Sequence, residues 1–203
     1  MILSHNAQYD SDNSWEYIST DEATQYTQRN GGHEFKTAVS GSAGADITFL
    51  NQMTITAAGE ITAPLQPAFL ARPSSDQTNI AATTEVDIVL GTEVYDQGGD
   101  FASNTFTAPV TGKYQLNLSV RLAAVDISAT FYAIRIYTSN DNYDNIFDPT
   151  QFSADLNYWT ATMSVTADMD ASDTAKAVFY QQGGAAQTDI IVDSTWFSGF
   201  LAC

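Results

Sequence analysis

The chain has 203 residues, 44% of them hydrophobic and 15% charged, with 24 acidic against 7 basic side chains and a net charge of −17. That apolar content describes a folded protein and not a solvated tail. The scarcity of Lys and Arg argues against binding nucleic acid, whose phosphates need them, and against docking on anionic lipid.

Residues 1 to 20 open without the basic start and apolar core of a signal peptide, and no apolar run in the chain approaches a membrane span. Synthesis in a cytoplasm, with no membrane insertion, is the expectation. Asn, Asp, Ser and Gln surround Tyr9, Trp15 and Tyr17. This composition reads either as an arm whose three aromatics anchor it to a particle or as an edge strand of the next segment.

Residues 21 to 63 alternate short apolar bursts with glycines. Glu34–Val39, Ile47–Leu50 and Met53–Thr56 read as strands, with turns at Gly41–Gly44 and Ala58-Gly59. Hairpins of four-residue strands are marginal in water, so this segment is expected to need other chains. Ala23, Tyr26, Gln28, Gly31 or Gly32, His33, Phe35, Ala38, Ser40, Gly41, Ala43, Gly44, Ile47, Thr48, Phe49, Met53, Thr54, Ile55 and Gly59 form an ordered string. It resembles a module of phage tail-fibre and fibre-like proteins.

Ala63-Pro64-Leu65-Gln66-Pro67 is a stiff linker, spanning 64–67, because two prolines in four residues favour extended backbone. Beyond it, Pro67–Arg72, Val86–Leu90 and Val94-Tyr95 read as strands. Phe106-Thr107-Ala108-Pro109-Val110-Thr111-Gly112-Lys113-Tyr114 then joins a turn to a strand. Tyr114, Leu116, Leu118, Val120 and Leu122 alternate with polar residues, the period of a half-buried strand. The C-terminus reads Ser194-Thr195-Trp196-Phe197-Ser198-Gly199-Phe200-Leu201. Together these two stretches resemble the globular head of the complement C-one-q family, which is of the tumour-necrosis-factor-like kind. Where that family usually carries Gly-Asp before its penultimate strand, this chain has Ser172-Asp173. The resemblance implies a ten-strand jelly roll over 68–203 that assembles into homotrimers and binds rather than catalyses.

Thr130–Tyr137 is apolar or aromatic on both faces. Exposing such a stripe would forfeit about 1.5–3 kcal/mol per large side chain. One set is expected to fill the sandwich and the other to line a three-fold axis. Tyr132, Ile134 and Ile136 are assigned to the trimer interface, with cover by a neighbouring loop as the alternative. Trp159, Ala161, Met163 and Val165 alternate toward the core. No stretch has helical spacing, so the fold class is all-β, a jelly-roll sandwich behind a small short-strand module.

No catalytic residue is assigned. His5 and His33 stand outside the head with no triad partners. Asp168, Asp170 and Asp173 make a carboxylate cluster, but in so acidic a chain such a cluster arises cheaply by chance. The loop Ser139–Asn145 mixes the hard oxygen ligands that Ca²⁺ prefers. Asp141 and Asp144 are its candidate metal ligands, and Asn140, Asp141, Asn142 and Tyr143 its candidate recognition surface; a solvated turn is the alternative. No other cofactor is expected. Cys203, the single cysteine, cannot staple the fold. The combined resemblances imply a virion protein of a tailed phage, a short homotrimeric fibre or spike. It would attach to other virion proteins through its N-terminal part and present its head to a host-surface receptor or glycan. A purely structural capsid or adaptor fibre is the alternative, with a polysaccharide-cleaving tip behind it.

Overall fold

The structure is a computed structural model that describes all residues from Met1 to Cys203. Two compact units divide the chain, Met1–Leu65 and Gln66–Cys203. The boundary falls inside the proline-bearing linker. Gln66 and Pro67 already belong to the head, because Gln66 Nε2 donates to Leu201 O at 2.9 Å and the Leu201 N–H donates to Pro67 O.

The N-terminal unit contains β1 (Ile2–His5), β2 (Ala7–Tyr9), β3 (Trp15–Tyr17), β4 (Asp21–Arg29), β5 (Gly32–Gly41), β6 (Leu50–Ile55) and β7 (Ile61–Thr62). Its antiparallel sheet runs β1-β4-β5-β6-β7, and β2 pairs with β3 as a separate hairpin. Asn30-Gly31 turns β4 into β5 with positive φ at both residues, the backbone of a two-residue hairpin turn. Three expectations are corrected here. Residues 1 to 20 are not a free arm, because β1 pairs with β4 from Ile2 opposite Thr27 to His5 opposite Thr24. The strands β4 and β5 have nine and ten residues, not four. Ile47 and Phe49 lie outside any strand and pack as loop side chains on a small core of Ala7, Tyr17, Ala23 and Ala38.

The head contains β8 (Ala68–Arg72), β9 (Gln77–Ile80), β10 (Glu85–Asp87), β11 (Thr92–Gln97), β12 (Phe101–Ala102), β13 (Thr105–Thr107) and β14 (Gly112–Val125). It continues with β15 (Ala129–Thr138), β16 (Asn142–Phe147), β17 (Leu156–Met169), β18 (Thr174–Gly183) and β19 (Thr188–Leu201), with a single 3-10 turn at Pro149–Gln151. Two six-stranded sheets result. One runs β12-β13-β18-β15-β16 with β10 beside β18; the other runs β11-β8-β19-β14-β17 with β9 beside β19. The all-β sandwich expected from the sequence is present, with twelve strand segments where ten were expected.

Alternation decides the core. Tyr114, Leu116, Leu118, Val120 and Leu122 point inward from β14 and are fully buried. From the facing sheet come Tyr132, Ile134, Ile136 and Phe179, equally buried. Tyr132, Ile134 and Ile136 are therefore not a trimer interface: the single chain already removes them from solvent. Arg135 explains the choice, because the alternating face that carries a guanidinium must look outward.

Phe69 stacks on Phe101 and Phe106 with centroids 4.9 and 4.8 Å away, and Phe197 meets it edge-on at 5.1 Å. The turn-strand motif closes one end of this cluster. Tyr114 is buried but its hydroxyl donates to Val110 O at 2.7 Å, so the polar tip is satisfied. A Cβ on Gly112 would sit 2.6 Å from Leu201 Cδ1 and 2.8 Å from Cys203 O, which accounts for glycine at that step of the motif. Ser172, where the resembled family has glycine, adopts φ +79°. That is left-handed backbone, which suits glycine better than serine.

Candidate functional site

The exposed side of the β8–β19–β14–β17 sheet is built from in-register rows. One row holds Gln97, Ala68, Phe200, Gln115 and Thr166; the next holds Tyr95, Leu70, Ser198, Asn117 and Ser164. Then come Trp196, Ser119 and Thr162, followed by Ile191, Arg121 and Thr160. Of the chain's 24 acids, none stands in these rows. Hydroxyls and amides satisfy one another across the strands: Gln115 Nε2 donates to Ser164 Oγ at 2.7 Å, and Ser164 Oγ donates to Asn117 Oδ1 at 2.7 Å. The Arg121 guanidinium lies 4.3 Å from the centre of the Tyr158 ring, an attraction to its electron-rich face.

A bulge shapes this surface. Between the Trp196–Ser119 and Ile191–Arg121 pairs, β19 inserts Val192–Thr195 opposite Val120 alone. Ser119 Oγ donates to Ser194 O at 2.8 Å, the Arg121 N–H to Thr195 Oγ1 at 3.0 Å, and the Val192 N–H to Asp76 Oδ1 at 2.8 Å. Ser194 takes φ +65° at the crest. The bulge walls an open cavity of about 590 Å³ over Leu70, Val94, Tyr95 and Trp196, with Arg72 and Asp193 at its rim. Val94 and Tyr95 are about half exposed. The sequence reading missed this site. Its available signal was Trp196-Phe197, since adjacent aromatics on a strand cannot both point inward.

The other sheet covers its own outward face. Phe131 packs on Tyr180 at 5.7 Å, and the Arg135 guanidinium lies 5.0 Å from the Tyr180 ring centre. Arg135 also pairs with Glu85 and with Asp144 at 3.2 Å, while the Tyr137 hydroxyl donates to Glu85 Oε1 at 2.6 Å. Burial, followed by that hydrogen bond to Glu85, pushes the Tyr137 phenol up. Side chains from the paired strands β10, β16 and β18 lie over this face, not the neighbouring loop of the alternative.

The 139–145 loop does not form the expected site. Asn140 Nδ2 donates to Asp173 Oδ2 at 2.6 Å and to Asp168 O at 3.1 Å, so its amide braces the neighbouring turn. Asp141 accepts from the Asn142 N–H. Asn142 is exposed where β16 begins, and Tyr143 turns inward against the core. Asp144 is held by Arg135 on the strand, and no group of three or more His, Cys, Asp or Glu gathers anywhere. Asp141 and Asp144 are thus not brought together as a ligand set. Asp168 pairs with Lys113 at 2.6 Å.

The proposed anchor aromatics also separate. Tyr17 is buried with its hydroxyl on Val39 O at 2.5 Å, and Trp15 packs against Phe49. Tyr9 alone is exposed, edge-on to Trp15 at 5.3 Å. Tyr17 and Trp15 are core residues of their unit, not free anchors.

In the N-terminal sheet, one face again has rows without acids, with Glu22 beyond them on β4. Its rows are His5, Thr24, Thr37, Leu50; then Leu3, Tyr26, Phe35, Met53; then Gln28, His33, Ile55, Ile61. His33 Nδ1 and the Tyr26 hydroxyl share a hydrogen bond of 2.5 Å.

No protein-family profile matches this sequence, and no curated protein is similar to it. Solved structures are. The globular domain of zebrafish complement 1qA protein superposes with a TM-score of 0.50 at 15% identity, over 68% of this chain and 98% of that one. Murine APRIL superposes with a TM-score of 0.50 at 10% identity, over 67% and 98%. These likenesses show the fold of the head, a C-one-q-like and tumour-necrosis-factor-like jelly roll.

Proposed function

We propose that this protein is a non-catalytic adhesion protein that works as a homotrimer, a short fibre or spike of a tailed-phage virion. The observation that carries the reading is the centre of the head's exposed face, four rows without a carboxylate, with Asp168, Asp189 and Asp193 only at its margins. A chain of net charge −17 meets copies of itself at lowest electrostatic cost where no carboxylate stands. That face adds uncovered apolar side chains, Leu70, Val94, Tyr95 and Trp196, whose burial would drive association. The trimer number and the virion setting come from the sequence resemblances. Three weak host-surface contacts per trimer would then gain by avidity.

Sedimentation equilibrium of the full chain at physiological salt tests it. A mass of three chains, reduced to one by Trp196→Glu, is the expected result; a single-chain mass for the unaltered protein overturns it. Asn140 and Asp141 favour a second reading, a structural fibre without receptor, because their side chains are engaged in the fold. Failure of the purified trimer to compete with particles for host cells would select that reading.

A further inference from the structure

We infer that the apolar rows of the N-terminal sheet are a second contact between copies of this chain; the inference rests on the homotrimeric reading above. Leu3, Tyr26, Phe35 and Met53 cross four adjacent strands in one row, and Ile55 and Ile61 continue the apolar surface in the next. Leu3 is 57% exposed, Phe35 38% and Ile61 67%, a costly arrangement for a sheet left bare. The unit's own buried core is confined to Ala7, Tyr17, Ala23 and Ala38 on the opposite side. Ala23 and Ala38 alternate with the exposed row along β4 and β5, so no rearrangement within the sheet can bury both faces.

Charge identifies the occupant. A foreign cationic partner would be drawn to the carboxylates, and these rows offer none. They hold no Lys or Arg either, and Lys36 beside them is paired with Glu34 at 2.7 Å, so an acidic partner gains little there. A neutral, apolar face on a strongly acidic chain fits a second neutral face, and another copy supplies the same one. Strands about 4.8 Å apart and rows about 7 Å apart give roughly 400 Å² per copy. That area is small for an independent interface. It suffices once the heads hold the copies together at high effective concentration.

The test uses the full-length chain and two readouts. Hydroxyl-radical labelling is measured at Tyr26, Phe35 and Met53, and association by sedimentation equilibrium, for the unaltered protein, Phe35→Glu and Ile61→Glu. Ile61 lies on a two-residue edge strand, so its substitution keeps the test valid if Phe35→Glu misfolds. The expected result is at least fivefold protection of the three side chains in the assembled protein compared with the diluted chain. Ile61→Glu should weaken association at least tenfold with an unchanged circular dichroism spectrum. Assembled protein whose face labels freely overturns this inference and leaves the head's assembly standing. Protection that persists in a species of single-chain mass also overturns it, since the cover would then be internal. An unaltered protein that never assembles overturns the homotrimeric reading, and this inference with it.

Discussion

The two units handle apolar surface in opposite ways. The head closes two sheets over a continuous core that includes Phe69, Phe106, Leu118, Ile134, Phe179 and Phe197, all fully buried. The N-terminal unit buries mainly alanines beside Tyr17 and leaves Leu3, Leu50 and Ile61 at least half exposed. A sandwich supplies its own second layer, whereas a single sheet covered by one small hairpin has only half of one. The head is closed by its own two layers, whereas the N-terminal unit leaves one face of its sheet open.

The largest test of that contrast is Phe106→Ala. Removing a ring stacked in the head's aromatic cluster should cost about 4 kcal/mol. In calorimetry the head's transition should fall while the N-terminal unit's stays in place; joint movement would show that the units unfold as one.

Asp126 gives a smaller, pH-dependent handle. It is buried, which alone would raise its pKa, but Ser128, Ala185 and Ala186 donate to its carboxylate and hold it down at about 2. A carboxylate depressed in the fold stabilises fully above its unfolded value of 3.8, and that stability is lost as pH falls through 2. Acid titration should therefore weaken the head by on the order of 1 kcal/mol across this window, after allowance for solvent screening. Asp126→Asn should flatten that part of the profile, and an unchanged slope would assign the acid sensitivity to other groups.

The smallest effect is a gain. Ser172→Gly relieves a left-handed residue and should raise the head's stability by about 0.5–1 kcal/mol in urea unfolding, with no change in the N-terminal unit.

The same contrast governs what the sequence discloses. The head's long alternating strand was legible because Tyr114 to Leu122 keep one period over nine residues and face a complete second layer. The inward face of β15 was harder, since Tyr132 and Ile134 on one side match Phe131 and Tyr137 on the other in size. Arg135 between them was the physical tie-breaker. The β19 bulge broke alternation locally, so its cavity left no periodic trace. In the N-terminal unit Asn30-Gly31 was a hairpin signal that the sequence reading passed over, and it joins strands of nine and ten residues. The pairing of β1 with β4 joins residues 19 to 25 positions apart, and no local pattern around Ile2 announces it. The loop from Asn140 to Asp144 suggested ligands by composition, but a hydrogen bond from Asn140 to the distant Asp173 and an ion pair of Asp144 with Arg135 on the paired strand decide what those side chains do.

The inserted segment Val192–Thr195 leaves the strand ladder intact on either side, and only Thr195 of its four residues is buried. The side chains of Val192, Asp193 and Ser194 are thus freer to change than Thr195, whose buried hydroxyl accepts from the Arg121 N–H. A lineage under pressure to alter what touches the Trp196 hollow has, in that short detour, a place to change quickly while the scaffold stays fixed.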